Sequence, residues 1–195
     1  MKKTFIALTL LASAASSQAA VFDFNGTINN HNDIVTTAFS LNSDATNVRV
    51  WTDSFKNGLN FDPITAVWKK TGSAWALVGQ NDDASNVGPN QTRFDSGLIF
   101  NQLSAGSYLF TVATFNNFAN GSLLSQGFKF DGQTPIALAN WAQPSNHSNM
   151  GRNWSLHLSG VDTAVAPVPE PETYALMGMG LLGLMAARRR KAKQA

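Results

Sequence analysis

Five aspartates fall in short polar stretches between runs of β-forming residues, where metal-binding oxygens are commonly found. WTDSF carries Asp53, NFDP carries Asp62 beside Asn60, QNDD carries Asp82 and Asp83 beside Asn81, and RFDSG carries Asp95. A calcium ion takes six to eight oxygen ligands from carboxylates, amides and backbone carbonyls. Loops meeting at one end of a β-domain could therefore assemble a site from Asp53, Asp62, Asp82, Asp83 and Asp95. The same residue types also build turns by bonding their own backbone, so metal binding and turn formation stand side by side as readings. Neither an EF-hand spacing nor a glycine-rich nonapeptide is present, and calcium is the one cofactor the sequence raises.

Catalytic chemistry finds less support. The chain has no GxSxG elbow, no HExxH pair and no cysteine, which removes the common nucleophile and zinc signatures. His31, His147 and His157 are far apart, and His157 sits within the strand-like NWSLHLSG. Asp82 and Asp83 are neighbours on a turn, whereas a glycosidase needs two carboxyls converging across one bond. The expectation is a protein without enzymatic activity.

Tryptophan raises a binding function instead. Trp68 and Trp75 lie inside strand patterns, where a large ring is expected in the core. Trp141 and Trp154 flank the polar, glycine-containing WAQPSNHSNMGRNW and are the residues expected to contact sugar.

The elements that must position these groups read as strands. NVRVWTDSF alternates apolar and polar residues around Arg49. ITAVWKK and AWALVG, separated by Lys70-Thr71-Gly72-Ser73, form a hairpin pattern. GLIFNQL leads through Ser104-Ala105-Gly106 into SYLFTVATF, and GFKF, PIALA and NWSLHLSG supply later strands. No stretch sustains a helical apolar period. Eight to ten short strands imply an all-β fold, a single antiparallel β-sandwich of the jelly-roll kind. With no disulfides, it must rest on its apolar core, with bound metal as the one further staple.

The two ends carry addresses. MKKTFIALTLLASAASSQAA has the positive start, apolar middle and small-residue site of a cleavable signal peptide over 1–20. The β-sandwich is expected over 21–161, a linker over 162–167, and a second export element over 168–195. That last stretch joins Pro169, Glu170 and Pro171 to an apolar run from Tyr174 to Ala187, expected as a short transmembrane helix, and then to Arg188, Arg189 and Arg190. The arginines form a cytoplasmic stop. Prolines keep the preceding chain out of helix and open to a membrane enzyme. Removing both ends corrects the charge: residues 20–167 hold seven basic and ten acidic side chains. The sequence pI of about 9.0 belongs to the ends, so no nucleic-acid partner is expected.

VPEPETYALMGMGLLGLMAARRRK resembles the PEP-CTERM sorting signal of Gram-negative bacteria, in its Pro-Glu-Pro motif, its glycine-punctuated apolar run and its arginine cluster. The resemblance implies signal peptidase and exosortase as processing partners, transient inner-membrane anchorage, and a final place at the cell surface or in the extracellular matrix. It implies a structural or adhesive role in an exopolysaccharide or biofilm matrix, with exopolysaccharide as a partner. The alternative function is a calcium-dependent carbohydrate-binding module. FDFNGTINNHNDIVTTAFSL, WTDSFKNGLNFDPITAVW, QNDD, FDSGLIF and LSAGSYLFTV also resemble small exported PEP-CTERM proteins that are similar to the bacterial pre-peptidase C-terminal domain. That likeness implies a jelly-roll accessory module and carries over no catalytic residues.

Overall fold

A computed structural model describes residues 20–144 and 151–167. The expected signal peptide, His147 and the tail from residue 168 lie outside these residues. Nine strands carry the described fold: β1 (Val21–Thr27), β2 (Val35–Leu41), β3 (Ala45–Thr52), β4 (Pro63–Thr71), β5 (Ala74–Asn81), β6 (Gly97–Leu103), β7 (Gly106–Thr114), β8 (Asn153–Ser159) and β9 (Thr163–Val165). The other regular pieces described are three single turns of 3-10 helix, at Lys56–Gly58, Leu124–Gln126 and Leu138–Asn140. Among the described residues, no helix is long and apolar enough to cross a membrane.

The strands form two antiparallel sheets, ordered β1-β8-β3-β6 and β5-β4-β7-β2-β9. For the first eight strands the chain changes sheet at every step except β4 to β5, which gives the interleaved four-plus-four order of a jelly roll. Lys70-to-Ser73 closes the β4–β5 hairpin as its sequence predicts, with Thr71 opposite Ala74. β6 and β7 are also strand, turn and strand, but they arch across the sandwich instead of pairing with each other.

Alternation sets which side chains fill the space between the sheets. β2 buries Val35, Thr37, Phe39 and Leu41 and turns the intervening residues outward. Val48, Val50, Leu156 and Leu158 meet them from the opposite sheet, with Phe61, Val67, Tyr108 and Phe110 in the same cluster. Phe39 and Tyr108 stack with centroids 5.0 Å apart, and the Tyr108 hydroxyl donates to the Ser104 carbonyl at 2.6 Å, pinning the β6–β7 turn. Trp68 is fully buried in a smaller cluster under Phe128, and its indole N–H donates to Thr111 Oγ1 at 3.0 Å. Trp75 is half-buried, with Lys70 Nζ 4.7 Å from its ring centroid.

Three expectations about elements are corrected. GFKF and PIALA are not strands. Both lie in the long connection that follows β7, where Phe128 and Phe130 bury their side chains from irregular backbone and Leu138 does so from a single 3-10 turn. The Phe130 amide donates to Asn117 Oδ1 at 2.7 Å, outside any sheet ladder. Nor is 162–167 a plain linker: Thr163–Val165 pairs with Ser40, Phe39 and Ala38 on the edge of β2. Asp162 Oδ2 accepts the Asn42 amide at 2.6 Å, and the Thr163 and Ser40 hydroxyls lie 2.7 Å apart.

The strand directions give the sandwich two unlike ends. One is closed by short turns at 42–44, 72–73, 104–105 and 160–162. The other gathers the long connections over 28–34, 53–62 and 82–96 and the described residues 115–144 after β7. β9 runs antiparallel to β2 from Ser40 toward Ala38, so the chain leaves it toward the long-loop end.

Candidate functional site

The long-loop end brings three of the five candidate metal ligands together. In the β4–β5 ladder Thr65 faces Asn81, so Asp62, just before β4, comes level with Asp82 and Asp83, just after β5. One carboxylate oxygen from each of the three lies within 4.8 Å of the others. Asn81 Nδ2 fixes the turn by donating to the Asp83 carbonyl at 3.1 Å and the Gly97 carbonyl at 2.9 Å. The Asp62 carbonyl accepts the Phe115 amide at 2.7 Å, which ties this loop to the end of β7.

The electrostatics are those of crowded acids. Burial, then the neighbouring Asp83 charge, pushes the Asp82 carboxyl up to about 6. Burial also raises Asp83, while Arg93 pulls it back. Three carboxylates form an all-oxygen, strongly anionic donor set, which suits a hard divalent cation such as calcium. Such an ion would relieve the repulsion that holds Asp82 above its ordinary range.

Asp95 and Asp53 stand apart from this group. Asp95 is fully buried and accepts the Thr92 amide at 2.7 Å, the Thr92 hydroxyl at 2.8 Å, the Phe55 amide at 3.0 Å and the Thr52 hydroxyl at 3.3 Å. Its lone pairs hold the 53–62 and 82–96 loops against each other, so it acts as a turn former.

Asp53 faces the outer side of the other sheet, where it accepts the Ser155 hydroxyl. His157 Nε2 lies 3.0 Å from Asp53 Oδ1, and Nδ1 lies 2.6 Å from Asp23 Oδ1. The His157 ring stacks on Trp51 at 5.0 Å. Burial works to raise the Asp53 carboxyl, but hydrogen bonds from Ser155 and His157 and the charges of His157 and Lys56 prevail and hold it below its ordinary value. This row across β1, β8 and β3 was not legible as a group. Its one sequence signal is alternation, which turns Asp23, Trp51 and His157 outward on their strands, and the register joining them is set by pairings more than 100 residues apart.

The tryptophans expected to touch sugar are more enclosed than their polar surroundings suggest. Trp141 is half-buried, with its ring 5.3 Å from His31 and 5.9 Å from Phe130. Trp154 lies on β8, is 7% exposed, and packs its six-membered ring where a Cβ on Gly26 would stand. It borders a cavity beside the 28–34 connection, and Trp141 does not.

Comparison with known proteins bears mainly on the tail. The PEP-CTERM protein-sorting motif matches residues 167–191, so the chain carries that motif immediately after β9. The motif implies an exported protein that is processed by exosortase and held for a time by a membrane anchor. No curated protein matches the sequence. Among solved structures, the chain is similar to the crystal structure of Yersinia pseudotuberculosis-derived mitogen (YPM), with a TM-score of 0.41 and 11% identity, covering 78% of this chain and 99% of that one.

Proposed function

We propose that this is a non-enzymatic structural or adhesive protein of a Gram-negative cell surface or exopolysaccharide matrix, delivered by its signal peptide and released from a C-terminal transmembrane anchor by exosortase. The observation that carries the reading is the sorting motif at 167–191, which begins two residues after a folded sandwich. The polar groups of that sandwich support it. Asp95 is saturated by loop donors, and His157 is held between two carboxylates.

The test is mass spectrometry of the mature protein from the surface of the native cell. The expected C-terminus lies close after Pro167, with Arg188, Arg189 and Arg190 gone. Mature surface protein retaining those arginines would refute the processing. Hydrolysis of matrix polysaccharide by the pure protein, abolished by Asp82→Asn, would refute the non-enzymatic part.

A calcium-dependent carbohydrate-binding module is the second reading, favoured by the convergence of Asp62, Asp82 and Asp83. Calorimetric titration with calcium should then show binding that Asp82→Asn removes. Glycan-array binding should vanish with chelator. Heat-free titration at millimolar calcium would set this reading aside.

A further inference from the structure

A cavity of about 580 Å³ lies at the long-loop end of the fold. It opens between the 28–34 connection, the start of β2 and the Leu124–Phe128 segment, and Trp154 forms part of its wall. Volumes of about 300–1,000 Å³ accommodate a drug-sized or small oligomeric ligand. The wall combines two aromatic rings, Trp154 and Phe128, with the side chains of Asn29, Asn30 and Asn32 and the carboxylates of Asp33 and Asp131.

The polar wall is held in place by its own loops. Asp33 Oδ2 accepts the Asn29 and Asn30 amides at 2.8 and 2.9 Å, and Asp131 Oδ2 accepts the Phe128 amide at 2.8 Å. Arg152 donates to Asn29 Oδ1 at 2.8 Å. These contacts pre-set the lining without consuming all of its capacity, since a carboxylate offers about four lone-pair sites and a primary amide both donates and accepts. Among the described residues, no lysine, arginine or histidine lines the cavity.

That composition selects among ligands. Side-chain amides and carboxylates pair with hydroxyl and ammonium groups, while Trp154 and Phe128, each 7% exposed, add little apolar area to the wall. An acidic chain would bring its charge against Asp33 and Asp131, and the one guanidinium bonded to the wall, Arg152, is already engaged with Asn29 Oδ1. We infer that this cavity binds a segment of a neutral or amino-substituted polysaccharide and rejects polyuronates. The inference rests on the surface or matrix reading above and names the glycan class that reading leaves open. Pro167 also lines the cavity, so the chain enters its sorting motif directly beside the bound segment.

The test is calorimetric titration of the full chain in detergent with three probes: cellohexaose, a glucosamine hexamer and a galacturonate hexamer. At least tenfold tighter binding of cellohexaose or the glucosamine hexamer than of the galacturonate hexamer is expected. Thr36, exposed on β2 at the cavity, provides one variant: Thr36→Arg should weaken glucosamine-hexamer binding at least tenfold and improve galacturonate binding. Asp131→Asn keeps an oxygen for the Phe128 amide and serves as a fold-preserving second variant. It should narrow the discrimination against galacturonate several-fold.

Absence of binding to all three probes, or galacturonate binding as tight as the others, overturns the inference. So does glycan binding that neither variant alters. Loss of the inference on any of these outcomes leaves the sorting and surface reading standing, because that reading is decided by the C-terminus of the mature protein.

Discussion

Asp82→Asn should stabilise the protein at neutral pH in metal-free buffer, although it removes a charge from an exposed end of the fold. The Asp82 carboxyl is pushed from its ordinary 3.8 up to about 6 by burial and by Asp83. At about 1.4 kcal/mol per pH unit this gap corresponds to about 3 kcal/mol. Asp82 is only partly buried, and solvent screening reduces that figure to about 1 kcal/mol. The sign follows from proton linkage. Between pH 4 and 6 the folded state holds a proton that the unfolded state has released, so stability falls as pH rises through this window and is level above it. Asparagine does not titrate and avoids the loss. Thermal unfolding followed by circular dichroism in EDTA should therefore show the variant melting about 2–4 °C above the parent at pH 7. The two should converge near pH 3.5. Under the calcium reading, metal at 100 times its dissociation constant adds about 2.7 kcal/mol to the parent and reverses the order. A variant that melts below the parent at pH 7 in EDTA, or a difference independent of pH, would refute the assignment of crowding to this carboxyl.

Other substitutions probe the surrounding frame. Asp95→Ala strands four donors in the buried loop junction and should cost about 3 kcal/mol in urea unfolding. Gly88→Ala drives a methyl group into the Trp51 indole and should cost about 1–3 kcal/mol, with a changed near-ultraviolet circular dichroism signal. Asp53→Asn removes the carboxylate that Ser155 and His157 hold below its ordinary value. Because that stabilisation is present above the unfolded value and lost on acidification, the variant should lose under 1 kcal/mol at pH 7 and nothing at pH 2, read by the same melts.

What the sequence made legible was local. The β4–β5 hairpin announces itself because its turn lies between two β-branched and aromatic runs, and the sorting motif because its three parts are contiguous. Strand count and the absence of helical periodicity pointed to an antiparallel β-sandwich, while the order of its strands comes from long-range pairings. GFKF misled because alternating apolar residues look the same whether they fill a sheet or, like Phe128 and Phe130, plug a loop. The trio was half legible: Asp82 and Asp83 are adjacent, but Asp62 joins them only through a β4–β5 register that includes an irregularity between Val67 and Trp68. Asp95 and Asp53 have the same composition around them as the trio, and only tertiary pairing separates a saturated turn former and a strand-face carboxylate from a candidate ligand. The Asp23–His157–Trp51 row depends on β8 docking between β1 and β3, a long-range event that leaves no local trace.

The short strand β9 has a consequence for orientation. Val165 is its last residue, and the apolar run of the tail begins at Tyr174. Nine residues reach at most about 32 Å. The chain therefore enters its sorting motif from the pole that carries the acidic trio and the Trp154 cavity, and the apolar run starts within that reach of it. β1 starts at the opposite pole, where Val21 pairs with Ser159, so a reporter fused before β1 stands at the far end of the sandwich from the sorting motif.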